Sequence, residues 1–253
     1  MNLSRPIIKA LTALGFSKPT PIQSRAIPLG MEGRDLCAGA ITGSGKTAAF
    51  LIPILERLLF RPKDVALSRV LILTPTRELA IQCHSVATRL AKFTDIHFSL
   101  IIGGLNMKVQ QAELRRRADV LIATPGRLID HLTNTPSFDL DSIEILVLDE
   151  ADRMLEEGFR EALTEIVRNC PRGRQTMLFS ASMTDEVNEL VRLSLNHPVR
   201  LFVDKSTDLA SNLVQEFIRI RKQHEQDREA VIVGESSIVW MRLFLPLLTL
   251  LLQ

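Results

Sequence analysis

Almost no net charge sits on this chain: 31 lysines and arginines against 29 acidic residues leave +2. There is no global basic field to attract a polyanion, so any nucleic-acid contact must be local. Cysteines are scarce; the three, Cys37, Cys83 and Cys170, lie far apart and lack metal-ligand spacing. They read as buried thiols in a reducing compartment. The N-terminal stretch has no apolar signal-peptide core, so secretion is not expected. No internal repeat and no low-complexity tract is present. No apolar run reaches the roughly 20 residues of a bilayer-spanning helix. The longest, from Ile238 to Leu252, is broken by Arg242 and Pro246. It reads as a disordered tail or a segment not shaped by a native fold, and exposed it would promote aggregation.

What the chain does have is apolar material for a core, 46% of its 253 residues, arranged in alternating segments. Strand patterns fall near 35–40, 70–74, 97–102, 119–123, 143–148, 175–180 and 199–203. Helical patterns fall near 5–14, 21–30, 46–59, 77–92, 106–116, 126–132, 159–168 and 184–195. The alternation predicts an α/β domain: a mostly parallel sheet with helices on both faces, ending near Val203 or Asp204. Beyond it, residues 204–211 are linker-like, Val214 to Ile220 reads as an isolated strand, and 221–229 is heavily charged.

Two motifs carry the chemistry. Between the first strand and its helix lies Ala40-Ile41-Thr42-Gly43-Ser44-Gly45-Lys46-Thr47. Gly43 and Gly45 permit a sharp turn that points backbone N–H groups at an anion. The following helix N-terminus adds donors and a favourable dipole. Lys46 is expected to reach the β- and γ-phosphates of ATP, and the Thr47 hydroxyl to ligate Mg²⁺. Ala40 stands where the general phosphate-loop pattern has glycine. The second motif, Asp149-Glu150-Ala151-Asp152, follows the aliphatic strand pattern 143–148. Ligands of open α/β sheets sit beyond the carboxyl ends of strands. There Asp149 can hold Mg²⁺ through water, and Glu150 can take the proton from an attacking water.

Together these motifs resemble the first RecA-like domain of DEAD-box ATP-dependent RNA helicases. The resemblance covers roughly residues 1–220 and includes further elements in the family's order. Gly15 to Gln23 resembles the Q motif, which implies that Gln23 reads the adenine edge and Thr20 supports the loop. Thr20-Pro21-Ile22-Gln23 is also a helix capping box, and the two roles are compatible. Pro75-Thr76-Arg77-Glu78-Leu79, Gly103-Gly104 and Thr124-Pro125-Gly126-Arg127 resemble the elements that grip the RNA backbone irrespective of sequence. The run Arg115-Arg116-Arg117 reads as a solvated helix face. Ser180-Ala181-Ser182 stands where the family has Ser-Ala-Thr. This implies that Asp152, Ser180 and Ser182 couple the ATP state to RNA.

The resemblance implies a RecA-like P-loop domain over 1–205, a linker and the opening strand of a second domain over 206–229, and an apolar tail over 230–253. The family closes two such domains over ATP and RNA, and second-domain motifs are not seen here. The expected function is therefore ATP and RNA-backbone binding within a helicase lineage, with little turnover by this chain alone. The alternative is a non-catalytic ATP/RNA-binding module. Wording such as Ser137-Phe138-Asp139-Leu140 and Phe217-Ile218-Arg219-Ile220 is most similar to nucleolar helicases of large-subunit ribosome assembly. That implies a nuclear, nucleolar setting and pre-ribosomal protein partners.

Overall fold

The computed structural model describes residues 2–41 and 43–203. Thr42, the linker and strand expected over 206–229 and the tail over 230–253 lie outside the described residues. Seven strands form one sheet: β1 (Leu36–Gly39), β2 (Val70–Leu73), β3 (Phe98–Ile101), β4 (Val120–Ala123), β5 (Ile145–Leu148), β6 (Gln175–Ser180) and β7 (Val199–Phe202). The helices are α1 (Arg5–Ala13), α2 (Pro21–Met31), α3 (Lys46–Leu58), α4 (Arg77–Leu90), α5 (Met107–Arg115), α6 (Pro125–Asn134), α7 (Ala151–Glu156), α8 (Arg160–Asn169) and α9 (Asp185–Ser194).

Every strand pair is parallel, and the order is β3-β4-β2-β5-β6-β1-β7. Central strands are apolar at every position because helices cover both faces. Successive side chains point to opposite faces. Val70 and Ile72 of β2 therefore join the core under α1 to α4, while Leu71 and Leu73 join the one under α6 to α9. The edge strand β7 is only partly buried.

All seven strands and all eight helices expected up to residue 203 are present. Helix α7 is the one addition. Its six residues fall below the length at which periodicity speaks, although Ala151, Met154 and Leu155 are buried on one face. The arginine run is not a single helix face. Helix α5 ends at Arg115, Arg116 caps it, and Arg117 turns left-handed at φ 50°. All three side chains are exposed. The cysteines are buried and free, as expected. Among the described residues no helix is long and apolar enough to cross a membrane.

The strand order sorts the motifs. The carboxyl ends of β5, β6 and β1 carry Asp149, Ser180 and the phosphate loop, and these strands are contiguous. Those of β3, β4 and β2 carry Gly103, Thr124 and Thr76, and these too are contiguous. One half of the sheet therefore presents the motifs expected to bind nucleotide and the other half the motifs expected to grip RNA. They meet where β2 pairs with β5, and the Asp149 N–H donates to the Leu73 carbonyl at 3.0 Å.

Candidate functional site

The phosphate loop leaves β1 and enters α3 through two left-handed glycines, Gly43 at φ 83° and Gly45 at φ 92°. Ser44 closes the turn by donating its hydroxyl to the Ile41 carbonyl at 2.7 Å. Lys46 begins the helix with only 6% of its surface exposed, and its ammonium has no hydrogen-bond partner among the described residues. Thr47, next in the helix, is half-buried.

The cap of α2 locks onto this loop. Thr20 Oγ1 accepts from the Gln23 N–H at 3.5 Å, and Gln23 Oε1 accepts from the Thr20 N–H at 3.0 Å. Gln23 Nε2 donates to the Gly45 carbonyl at 3.1 Å. The Gln23 amide is thus engaged at both ends, yet one Nε2 hydrogen and one Oε1 lone pair remain for a base.

Asp149 ends β5 with Oδ1 buried and unpartnered. Burial pushes its carboxyl up to about 6; the Lys46 charge opposes this and Glu150 adds to it. Glu150 caps α7 in a left-handed conformation, φ 54°. A non-glycine residue held there is strained, a feature that gathers at functional sites. Its carboxylate lies 3.6 Å from the Arg153 guanidinium, a partner the sequence reading did not anticipate. Among the described residues no three acidic, histidine or cysteine side chains gather into a metal cage. That suits Mg²⁺, which binds through one or two carboxylates plus substrate phosphates and water.

Strand β6 lies between β5 and β1, so Ser180 falls between the two nucleotide motifs. Asp152 Oδ2 accepts from the Ala181 N–H at 3.1 Å, the Ser182 N–H at 2.8 Å and the Ser182 hydroxyl at 2.9 Å. The Asp152 N–H donates to Ser180 Oγ at 3.2 Å, and that hydroxyl donates to the Ser182 carbonyl at 2.7 Å. Burial alone would raise the Asp152 pKa. The bonds from Ser182, Ser180 and Arg153 outweigh it and hold the carboxyl below its ordinary value.

On the other half of the sheet, an open groove of about 440 Å³ is lined by Thr76, Arg77, Gly103, Thr124, Gly126 and Arg127. Thr76 caps α4, its hydroxyl accepting from the Leu79 N–H at 3.3 Å. The Arg77 guanidinium lies across the two glycines: a Cβ on Gly103 would sit 3.0 Å from Nη2, and one on Gly104 closer still to Nη1. Pro125 starts α6 and is buried, so it shapes the groove without lining it. Arg127 is partly committed inward, donating through Nη1 to the Leu105 carbonyl at 2.9 Å and to Gln110 Oε1 at 3.4 Å. Glu157 and Phe159 line the groove unanticipated. Gly158 between them, at φ 83°, was the available signal for a functional turn. A second cavity, at the amino ends of β2 and β4, takes in Ser68, Arg115, Arg117 and Phe138, away from both motif sets.

The sequence profile of DEAD/DEAH box helicases matches residues 20–190. An ATP-dependent RNA helicase drs1 of Schizosaccharomyces pombe is 61% identical over 233 residues, which is 92% of this chain and 31% of that protein. A probable ATP-dependent RNA helicase DDX27 of Homo sapiens is 60% identical over 234 residues, again 92% of this chain and 31% of the relative. The chain thus spans about a third of the length of these curated relatives. A crystal structure of a DEAD box protein from Methanococcus jannaschii superposes with a TM-score of 0.75 at 35% identity, covering 81% of this chain and 55% of that one. With the profile matching residues 20–190, through Ser180-Ala181-Ser182, relatives about 60% identical over most of the chain and a solved DEAD box structure superposing on the sheet, the chain belongs to the DEAD/DEAH box helicase family.

Proposed function

We propose that this chain binds ATP with Mg²⁺ at the carboxyl ends of β1 and β5, grips RNA backbone in the groove beside β2, β3 and β4, and hydrolyses the nucleotide. The observation that carries the reading is the pair of buried, unpartnered charged groups, Lys46 Nζ and Asp149 Oδ1. Burying such atoms without partners is costly, and a bound polyphosphate and divalent ion would complete both. Gly43, Ser44, Gly45 and the N-terminus of α3 supply the phosphate cradle. Thr42 sits in the same loop by sequence and is assigned there with them. Thr47 directly and Asp149 through water would hold Mg²⁺, and the free half of the Gln23 amide, braced by Thr20, would meet the adenine. The ion, when bound, neutralises phosphate charge. Glu150 accepts the proton of the attacking water, and Lys46 meets charge on the γ-phosphate.

Thr76, Arg77, Gly103, Gly104, Thr124, Pro125, Gly126 and Arg127 form the RNA side through helix N-termini, glycine backbone and guanidinium groups, none of which reads a base. Asp152, Ser180 and Ser182 are assigned the coupling of ATP state to RNA, because their hydrogen bonds tie the end of β6 to the segment that directly follows Asp149 and Glu150. The relatives above are named as ATP-dependent RNA helicases, which favours turnover over a module that only binds. The finer proposal, a nucleolar role in large-subunit ribosome assembly with pre-ribosomal partners, rests on the wording at 137–140 and 217–220. Co-sedimentation of the tagged chain with ribosomal precursors tests that setting.

The test of the site is nucleotide binding and ATP turnover with and without saturating RNA. Glu150→Gln should keep Mg²⁺-dependent binding and abolish turnover. Lys46→Ala should lose both. Turnover that persists unchanged in Glu150→Gln would overturn the assignment of the base.

A further inference from the structure

Behind the RNA groove lies a sealed set of polar side chains that neither motif pattern includes. Gln110 on α5 is 2% exposed, and His131 and Thr135 at the end of α6 are 0% and 6% exposed. His131 Nε2 is 3.0 Å from Gln110 Oε1, and His131 Nδ1 is 2.7 Å from Thr135 Oγ1. Gln110 Nε2 donates to the Ile102 carbonyl at 2.8 Å. Arg127 Nη1 donates to Gln110 Oε1 at 3.4 Å and to the Leu105 carbonyl at 2.9 Å.

The polarity of this set is determined. Gln110 Nε2 faces a carbonyl, so its amide is oriented with Oε1 toward His131 and Arg127. That oxygen has two lone pairs and accepts from both. His131 therefore carries its proton on Nε2, and its Nδ1 accepts from the Thr135 hydroxyl. Burial, then the Arg127 charge, lowers the His131 pKa, while Asp130 works the other way; the net effect favours this neutral ring.

The two carbonyls at the ends of the network bracket the glycine pair. Ile102 immediately precedes Gly103-Gly104, and Leu105 immediately follows it. Arg127 belongs to the Thr124–Arg127 element on the opposite wall. Gln110 is the atom-level junction between the two. Buried polar groups hold one arrangement where apolar ones would tolerate several. We propose that Gln110 and His131 are positioning residues that fix the Gly103-Gly104 turn against Thr124–Arg127, so that Arg77 and Arg127 Nη2 face one RNA backbone. The proposal rests on the reading of this groove as the RNA site. It assigns Arg127 two simultaneous tasks: its Nη1 ties the loop, while Nη2 has no partner among the described residues and remains for a phosphate.

The test measures binding of labelled single-stranded RNA at several salt concentrations, beside Mg²⁺–nucleotide binding, on the whole 253-residue chain. Gln110→Met and His131→Phe keep volume and remove the hydrogen bonds. Each should weaken RNA binding about five- to twentyfold and flatten the salt slope by about one phosphate contact, leaving nucleotide affinity unchanged. The double variant should be no worse than the stronger single, because both break one network. A purely structural role would move stability without moving the salt slope. Thr135→Val, a milder change that removes only the hydroxyl donating to His131 Nδ1, decides if either variant fails to fold; it should still weaken RNA binding measurably. Arg77→Ala is the control. If it weakens RNA binding while the network variants, Thr135→Val included, do not, the positioning role is wrong and the groove reading stands. If Arg77→Ala has no effect, the groove reading fails and the proposal falls with it.

Discussion

At Asp149, burial raises the carboxyl pKa to about 6 although the nearby Lys46 charge works the other way. The folded chain therefore binds this proton more tightly than the unfolded chain, whose carboxyl titrates near the ordinary 3.8. By linkage, the stabilising contribution is complete below that ordinary value and is lost as pH rises through about 6. Asn mimics the neutral carboxyl at every pH. Without nucleotide, Asp149→Asn should match the parent chain near pH 4 and exceed it by about 1–3 kcal/mol at pH 8. Urea midpoints across that range check it; a gap that does not change with pH would refute the argument. The same variant should lose Mg²⁺-dependent nucleotide binding. Asp152 has the opposite character. Its bonds to Ala181 and Ser182 favour the charged form, so its contribution holds above the ordinary carboxylate range and fades as pH falls through its lowered pKa. Both carboxylates stand in one short motif, and sequence alone assigned them to the site. It could not show that one is destabilised by its setting and the other satisfied by it, because that depends on what β6 brings beside them.

Among elements, the contact between α2 and α3 is where local sequence and tertiary structure agree most closely. The capping box at Thr20 to Gln23 was legible because caps are local, and the left-handed glycines of the phosphate loop were legible for the same reason. Their interlock was not, because Gln23 reaches Gly45 across 22 positions of chain. This contact can be isolated. A Cβ on Gly45 would lie 2.5 Å from Gln23 Nε2 and 3.1 Å from Thr20 Oγ1, whereas one on Gly43 meets nothing within 4 Å. Both glycines have positive φ, so alanine is strained at either. Gly43→Ala should cost about 1 kcal/mol of stability. Gly45→Ala should cost about 1–2 kcal/mol more and weaken nucleotide binding at least tenfold, as the Q motif is displaced. Equal urea midpoints for the two variants would mean that the interlock contributes nothing. Helix α7 shows the complementary limit. It starts directly from the strained Glu150, with no capping side chain to announce it.

Across the whole molecule, the strands were readable and their order was not. Four-residue strands that are apolar throughout carry no register or neighbour information. The division of the sheet into a proposed nucleotide half and a proposed RNA half emerges only from the order β3-β4-β2-β5-β6-β1-β7. That division has a mechanical consequence. Both binding surfaces stand on one continuous parallel sheet with two packed cores, a body that does not deform gradually. Pulling two RNA strands apart requires two gripping surfaces that move relative to each other, and on the proposed reading the groove beside Arg77 is one such surface. The body formed by residues 2–41 and 43–203 is therefore expected, on its own, to bind single-stranded RNA and nucleotide without separating a duplex. Its ATP turnover should also stay low, because an arginine supplied from a second body is worth about 10³–10⁵ in rate in related phosphoryl transfer. A strand-displacement assay on a short RNA duplex, run beside the turnover assay at concentrations where RNA binding is saturated, checks both. Efficient displacement with RNA-stimulated turnover that scales with the square of protein concentration would mean that two copies of this chain supply the two grips, and the single-body argument would fail.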